Sequence, residues 1–265
     1  MMRLLGDPRT FDVDNDELIA LCAAMDVQTM PDVIAMTERH DTVAERDQAL
    51  AAARRRLVER DYIADDGEID ADLVQMLRVL GSPDWTAECR RVDAYQTLRV
   101  CLAGDGARRV RVSRLGDQIS IDASDSDDDA ALFVSVFGAL IGETDGADVA
   151  EMRFPTDDME AALRGCETDI EYAEALFGLG VGEMAARRMG SALTSCCGQT
   201  EIVMRLNYLS RDAVVTVLDT SYGRIVAETN RSVEDWWTSI APGPGYRVTA
   251  ALRRLAENLP DGALL

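Results

Sequence analysis

The spacing of apolar residues predicts a helical segment at the start of the chain. Apolar residues from Leu18 to Met25 recur at helical intervals, and Asp14 or Asn15 is placed to cap the first turn. Gly81 and Pro83 mark the end of this helical segment. The predicted helices cover residues 15–25, 42–60 and 71–80, and residues 31–36 are predicted to form a short strand.

The pattern then changes to strict alternation, which is typical of strands with one buried face. Arg109, Val110, Arg111 and Val112 alternate in this way, and glycine-containing turns separate the neighbouring runs. An acidic run follows, and its negative charge suits the amino end of a helix. The predicted strands cover residues 86–93, 96–103, 108–115 and 118–123, and the helix covers residues 129–141.

The second half of the chain repeats this order with nearly the same spacing. Three helices are predicted over residues 156–163, 170–177 and 182–193, then strands over 201–207, 213–219, 223–229 and 236–240, and a last helix over 246–259. The repetition indicates an internal duplication. We therefore predict an α+β fold with two pseudo-two-fold-related halves, residues 1–150 and 151–265, in one compact unit. Each half is a largely antiparallel β-meander with helices packed against it.

The clearest hairpin lies between residues 214 and 230. Its turn falls on residues 219–223, and we expect Val215, Val217, Ile225 and Ala227 to fill one face of the sheet. The hairpin contains no nucleophile with a base beside it, which indicates a scaffold element.

Charge and composition exclude several classes of partner. The net charge is −21, and all 27 basic residues are Arg. Nucleic acid is an improbable partner, because affinity for phosphates comes from cationic side chains. The chain has no run of eighteen apolar residues and no apolar core of a signal peptide, so we expect a cytoplasmic protein without membrane insertion.

Few residues could support catalysis. The single histidine, His40, is expected near a helix start, in contact with solvent. The six cysteines have no zinc-binding spacing. Cys196 and Cys197 could form a redox disulfide, but buried thiols are the preferred interpretation. We predict no catalytic residue, metal or cofactor. The alternative is a carboxylate-dependent hydrolase or metal-binding enzyme, since 48 acidic residues leave carboxylate pairs open.

The second helical segment holds more large apolar side chains than one short helical hairpin buries. Methionine and aromatic side chains suit adaptable protein-binding surfaces, although an ordinary core is the alternative for each of them. The candidate binding residues are Tyr172, Leu176, Phe177, Leu179, Val181, Met184 and Met189.

Several segments together resemble the EspG family, the cytosolic chaperones of mycobacterial type VII (ESX) secretion systems. They are residues 217–220, 223–226 and 237–243, the closing helix from Ala250 to Pro260, and residues 77–83 of the first half. No single motif is diagnostic, but their order and spacing agree over almost the whole chain.

The resemblance implies a chaperone without catalysis that binds a PE–PPE heterodimer and shields the hydrophobic tip of its PPE protein. It implies that the client contacts the helical bundle of residues 156–193 and a loop between two first-half strands. In this chain that loop contains Asp93 and Tyr95, and it is short. Whether the free protein forms a homodimer is left open.

Overall fold

The computed structural model describes residues 9–106, 108–124, 126, 128–206, 210–231, 235–257 and 259. The chain divides into two compact units. The first unit contains the chain up to Glu88 and the segment from Leu98 to the residue before Asp128. The second unit holds Cys89–Thr97 and the chain from Asp128 onward.

The first unit combines helices with antiparallel strands. Its strands follow the order β1-β5-β4-β3-β2, although the end of β2 and the first residue of β3 belong to the second unit. The elements are β1 (Thr10–Val13), α1 (Asn15–Met25), a 3-10 helix (Asp32–Ile34), α2 (Val43–Glu59), α3 (Ala71–Gly81), β2 (Trp85–Asp93), β3 (Thr97–Asp105), β4 (Arg108–Leu115) and β5 (Gln118–Ser124). Its core lies among the helices and the faces of β1, β3, β4 and β5.

The second unit has the antiparallel strand order β7-β8-β9-β10-β6. Its elements are α4 (Asp129–Ile141), β6 (Met152–Pro155), α5 (Thr156–Leu163), α6 (Asp169–Gly178), α7 (Glu183–Thr194), β7 (Cys196–Leu206), β8 (Ser210–Thr220), β9 (Gly223–Arg231), β10 (Trp236–Pro242) and α8 (Gly245–Ala256). As predicted, an acidic residue caps α4: the Asp128 carboxylate accepts a hydrogen bond from the Ala131 N–H.

The same order of elements occurs twice. In each case a strand of four residues precedes a helical segment, a four-stranded meander follows, and one helix comes after it. The short strand then pairs antiparallel with the last meander strand, Thr10 opposite Asp122 and Phe154 opposite Thr238. The prediction of an α+β fold with antiparallel meanders is therefore confirmed. The division into residues 1–150 and 151–265 remains a prediction. Within the second unit, α4 packs against α8.

The predicted strand over residues 31–36 is wrong. Asp32–Ile34 forms a single 3-10 turn, and Ala35 adopts a left-handed backbone conformation with φ of 52°. The Arg114 guanidinium donates hydrogen bonds of 2.9 Å to the carbonyls of Ile34 and Ala35. These carbonyls are therefore satisfied by a side chain rather than by a neighbouring strand.

The β8–β9 hairpin confirms the predicted turn, but its side chains lie on two faces. Val217 stands opposite Val226, whereas Ile225 stands opposite Leu218, so Val217 and Ile225 point to opposite sides. Ile225 joins the core beneath α6 and α7, and α8 packs over β8 and β9. Val215 and Val217 therefore do not share a face with Ile225 and Ala227, as expected for strands covered by helices on both faces.

Arg224 on β9 is a fully buried cation that fixes the end of α4. Its guanidinium donates to the carbonyls of Gly142 (2.6 Å) and Ile141 (3.1 Å), and to the Asp219 carboxylate (2.6 Å). The carbonyls at the end of a helix carry partial negative charge, which a cation stabilises. Arg224 therefore links β9, the β8 terminus and α4.

Candidate functional site

Local sequence signals define the hairpin of α6 and α7. Thr168 and Glu171 form a reciprocal capping box at the start of α6, and two backbone N–H groups lower the pKa of the Glu171 carboxyl. At the other end, Val181 N–H donates to the Leu176 carbonyl, and Gly180 adopts a φ of 91°. Glycine adopts this left-handed conformation without strain, so the chain reverses directly into α7.

The two helices cross in close contact at Gly190 of α7. A β-carbon at this position would lie 2.4 Å from the Asp169 carbonyl oxygen and 3.1 Å from the Ala173 nitrogen. No side chain fits in that space, so glycine at this position lets α7 approach the backbone of α6. The hairpin therefore has a defined crossing point near the start of α6.

A groove of about 670 Å³ lies between the two helices. Ile170 and Phe177 line it from α6 and are 65% and 60% exposed, and Met184, near the start of α7, is 67% exposed. Such large apolar side chains on one short hairpin form a surface that a soluble protein usually covers with a partner. The lining residues are Asp169, Ile170, Ala173, Glu174, Phe177, Glu183, Ala186, Arg187 and Ser191.

The candidate binding residues divide into exposed and buried groups. Phe177 and Met184 are exposed, whereas Leu176 and Met189 are fully buried in the core of the second unit. Leu176 and Met189 support the hairpin and offer no surface to a partner. Tyr172, Leu179 and Val181 are half-buried, the last two packed against the same core. Burial also raises the pKa of the Tyr172 hydroxyl.

Sequence reasoning missed Ile170 and the polar residues of the groove. Ile170, Ala173, Glu174 and Phe177 are separated by three, four and seven positions, which places them on one helical face. This spacing was available in the sequence. It is hard to recognise as an apolar face because Ala173 and Glu174 share that face with Ile170 and Phe177.

The β2–β3 turn supplies the other two candidates. The Asp93 carboxylate accepts hydrogen bonds from the N–H groups of Tyr95 (2.8 Å) and Gln96 (3.0 Å), and the Asp93 N–H donates to the Gln96 carbonyl. Asp93 therefore stabilises the turn, and Tyr95 is 97% exposed at its tip. The turn belongs to the same compact unit as the hairpin.

The cysteines do not all behave as buried thiols. Cys22, Cys89 and Cys101 are buried as expected, and burial raises the pKa of Cys22 to about 11 and of Cys89 to about 12. Cys196 and Cys197 are exposed, which contradicts the preferred interpretation of that pair. They lie at a β-bulge at the start of β7, where the strand register shifts between Cys196 and Gly198.

We expect an alkylating reagent at about pH 8 to modify Cys196 and Cys197 in the folded protein, because both residues are exposed. Cys196 should react more slowly, since partial burial raises the pKa of its thiol. Cys22, Cys89 and Cys101 should react only after unfolding, since they are buried with raised thiol pKa values. Peptide mass mapping before and after urea treatment measures the difference. Rapid modification of Cys101 in the native protein would show that this thiol is not buried in the core.

The described residues offer no metal cluster and no membrane-spanning helix. Over the described ranges, no cluster of three or more His, Cys, Asp or Glu side chains is arranged to hold a metal ion. In that same part of the chain, no helix combines the length and apolar character needed to span a bilayer. His40 is half-buried rather than fully solvated, with its Nε2 atom 3.4 Å from the Asp16 carboxylate.

The fold matches a solved structure over nearly its whole length. That structure is the Mycobacterium tuberculosis type VII secretion system chaperone EspG5 in complex with a PE25–PPE41 dimer. The TM-score is 0.73 over 96% of this chain and 98% of that chain, at 20% sequence identity. The chain therefore has the fold of a type VII secretion chaperone.

Sequence relatives agree with this fold. The ESX-3 secretion-associated protein EspG3 of Mycobacterium tuberculosis is 23% identical over 278 residues, which cover 96% of this chain and 93% of EspG3. The ESX-1 secretion-associated protein EspG1 of the same organism is 28% identical over 228 residues, or 83% and 77% of the two chains. The model of the EspG family matches residues 14–254. The chain belongs to the EspG family, which confirms the resemblance seen in the sequence.

Proposed function

We propose that the chain is a cytosolic type VII secretion chaperone that binds a PE–PPE-type heterodimer and shields its hydrophobic tip before export. Membership of the EspG family supports this proposal, as do the secretion-associated relatives EspG1 and EspG3. The shared fold of EspG5, which was solved with a PE25–PPE41 dimer, supports it further. EspG membership also favours a binding role over catalysis.

The observation that carries the proposal is the exposed apolar surface of the α6–α7 hairpin. Ile170, Phe177 and Met184 each leave more than half of their surface open to water, although the hairpin has a complete core beneath them. Covering such side chains releases about 1.5–3 kcal/mol each when burial is complete. An apolar client segment would gain the same benefit, so both partners become less prone to aggregate.

Tyr95 offers a second contact for the client. Its ring is almost fully exposed, and the hydrogen bonds of Asp93 hold the turn that carries it. Tyrosine is enriched in protein interfaces because it combines a large apolar ring with a hydroxyl group. In this proposal Tyr172, Leu179 and Val181 form the partly buried wall of the hairpin beside its exposed residues.

Co-expression tests the proposal directly. The chain is expressed with PE–PPE-type pairs from the same genome, and each pair is also expressed without it. We expect one pair to be soluble only with the chain and to co-elute with it in size-exclusion chromatography as a stable complex. Failure of every such pair to co-purify would contradict the proposed client.

A further inference from the structure

The groove of the α6–α7 hairpin is acidic as well as apolar. Asp169 and Glu174 line it from α6, and Glu183 lines it from α7. Among the described residues that line it, the one cation is Arg187, whose guanidinium lies 2.9 Å from the Glu183 carboxylate. Among the described residues, Asp169 and Glu174 form no ion pair. Within the described part of the chain, the groove therefore carries two carboxylates that have no ion-pair partner.

These carboxylates stand next to the apolar anchors. Asp169 directly precedes Ile170, and Glu174 lies four positions after Ile170 and three before Phe177, on the same face of α6. An occupant that covers Ile170 and Phe177 must also displace water from Glu174. Removing water from a carboxylate costs free energy unless a cation or hydrogen-bond donor replaces it.

We propose that the segment seated in this groove is an amphipathic helix that carries a lysine or arginine within one turn of its apolar anchor. The inference rests on the proposed chaperone function and specifies the chemistry of the client segment. The apolar residues provide contact area, and the cation selects among clients because a carboxylate at the same place would be repelled. A groove between two helices is also the geometry that recognises an amphipathic helix by its apolar face.

Charge also argues against a second copy of the chain as the occupant. The chain has a net charge of −21 and no lysine, so a second copy would bring its own excess of carboxylates to the groove. A dimer that the Phe177→Asp substitution dissociates in analytical ultracentrifugation would place a second copy in the groove. That result would overturn the proposal.

Two synthetic amphipathic peptides of about 18 residues serve as probes. Both peptides have the same leucine-rich face. At the positions next to that face, one peptide carries lysine and the other carries glutamate. Fluorescence anisotropy measures their affinity for the full-length protein. We expect the lysine peptide to bind about tenfold more tightly, and the preference to shrink as salt is raised.

A matched pair of variants separates the groove from the general negative charge. Glu174→Gln removes one groove carboxylate, and Glu160→Gln removes an exposed carboxylate of α5 that does not line the groove. We expect Glu174→Gln to reduce the lysine preference by about threefold or more and Glu160→Gln to leave it unchanged. Equal effects of the two variants, or no binding of either peptide, would overturn the proposal.

The client pair found by co-expression distinguishes this inference from the proposed function. If the pair is captured equally well by the parent protein and by Glu174→Gln, the cation requirement is wrong while the chaperone function stands. If no pair is captured but the peptides follow the expected order, the groove chemistry stands and the client assignment fails.

Discussion

A Met184→Asp variant should lose capture of its PE–PPE-type client while remaining folded. Met184 is the second residue of α7 and 67% exposed, so the aspartate replaces an apolar contact without opening the core. Acidic residues are also favourable in the first turn of a helix. Replacing one of the few dominant residues of an interface costs about 2 kcal/mol or more, so we expect at least about a thirtyfold loss of affinity in pull-down titrations.

The chain offers a matched control for this substitution. Val43 is also 67% exposed, and it is the first residue of α2. Val43→Asp therefore introduces the same charge in the first turn of a helix in the other compact unit, and client capture should be unchanged. Phe177→Asp should repeat the effect of Met184→Asp. If both hairpin variants still capture the client fully, the client does not bind at α6 and α7.

An Arg224→Met variant should unfold much more easily than the parent protein. The substitution removes the buried cation and leaves the carbonyls of Ile141 and Gly142 and the Asp219 carboxylate without their donor. Breaking a buried charged network by removing one partner costs about 3–5 kcal/mol. Urea denaturation followed by circular dichroism measures the change in the free energy of unfolding.

Arg188→Met provides the comparison. Arg188 pairs with Asp148 at 2.6 Å, but both side chains are more than half exposed. Exposed ion pairs contribute about 0–1 kcal/mol, so this variant should remain close to the parent. An Arg224→Met protein that loses no more stability than Arg188→Met would show that Arg224 does not hold α4 in place.

The helices and meanders could be predicted because their signals are local. Capping residues such as Asp14 and Thr168 and the glycine turns lie within a few positions of the elements they define. Strands β1 and β6 were missed because each has only four residues and is stabilised by a distant partner. Thr10 pairs with Asp122, for example, a contact that no short sequence window contains.

The site was predicted at the level of the hairpin but not of the individual side chain. Leu176 and Phe177 are neighbours and equally apolar, yet one is buried in the core and the other is exposed. Only the crossing at Gly190 and the position of the core decide which face of α6 turns outward. The prediction of which β8 and β9 side chains share a face was wrong for a related reason. Helices cover both faces of these strands, so apolar residues do not alternate with polar residues along them.

The repeated order of elements has an evolutionary consequence. Each copy pairs its own four-residue strand with the last strand of its own meander, Thr10 with Asp122 and Phe154 with Thr238. Mutations at exposed positions of one helical layer, such as Phe177 and Met184, leave these backbone pairings intact in both copies. A lineage with several secretion systems could diversify its chaperones in this way, by altering the ligand preference of one copy and preserving its twin.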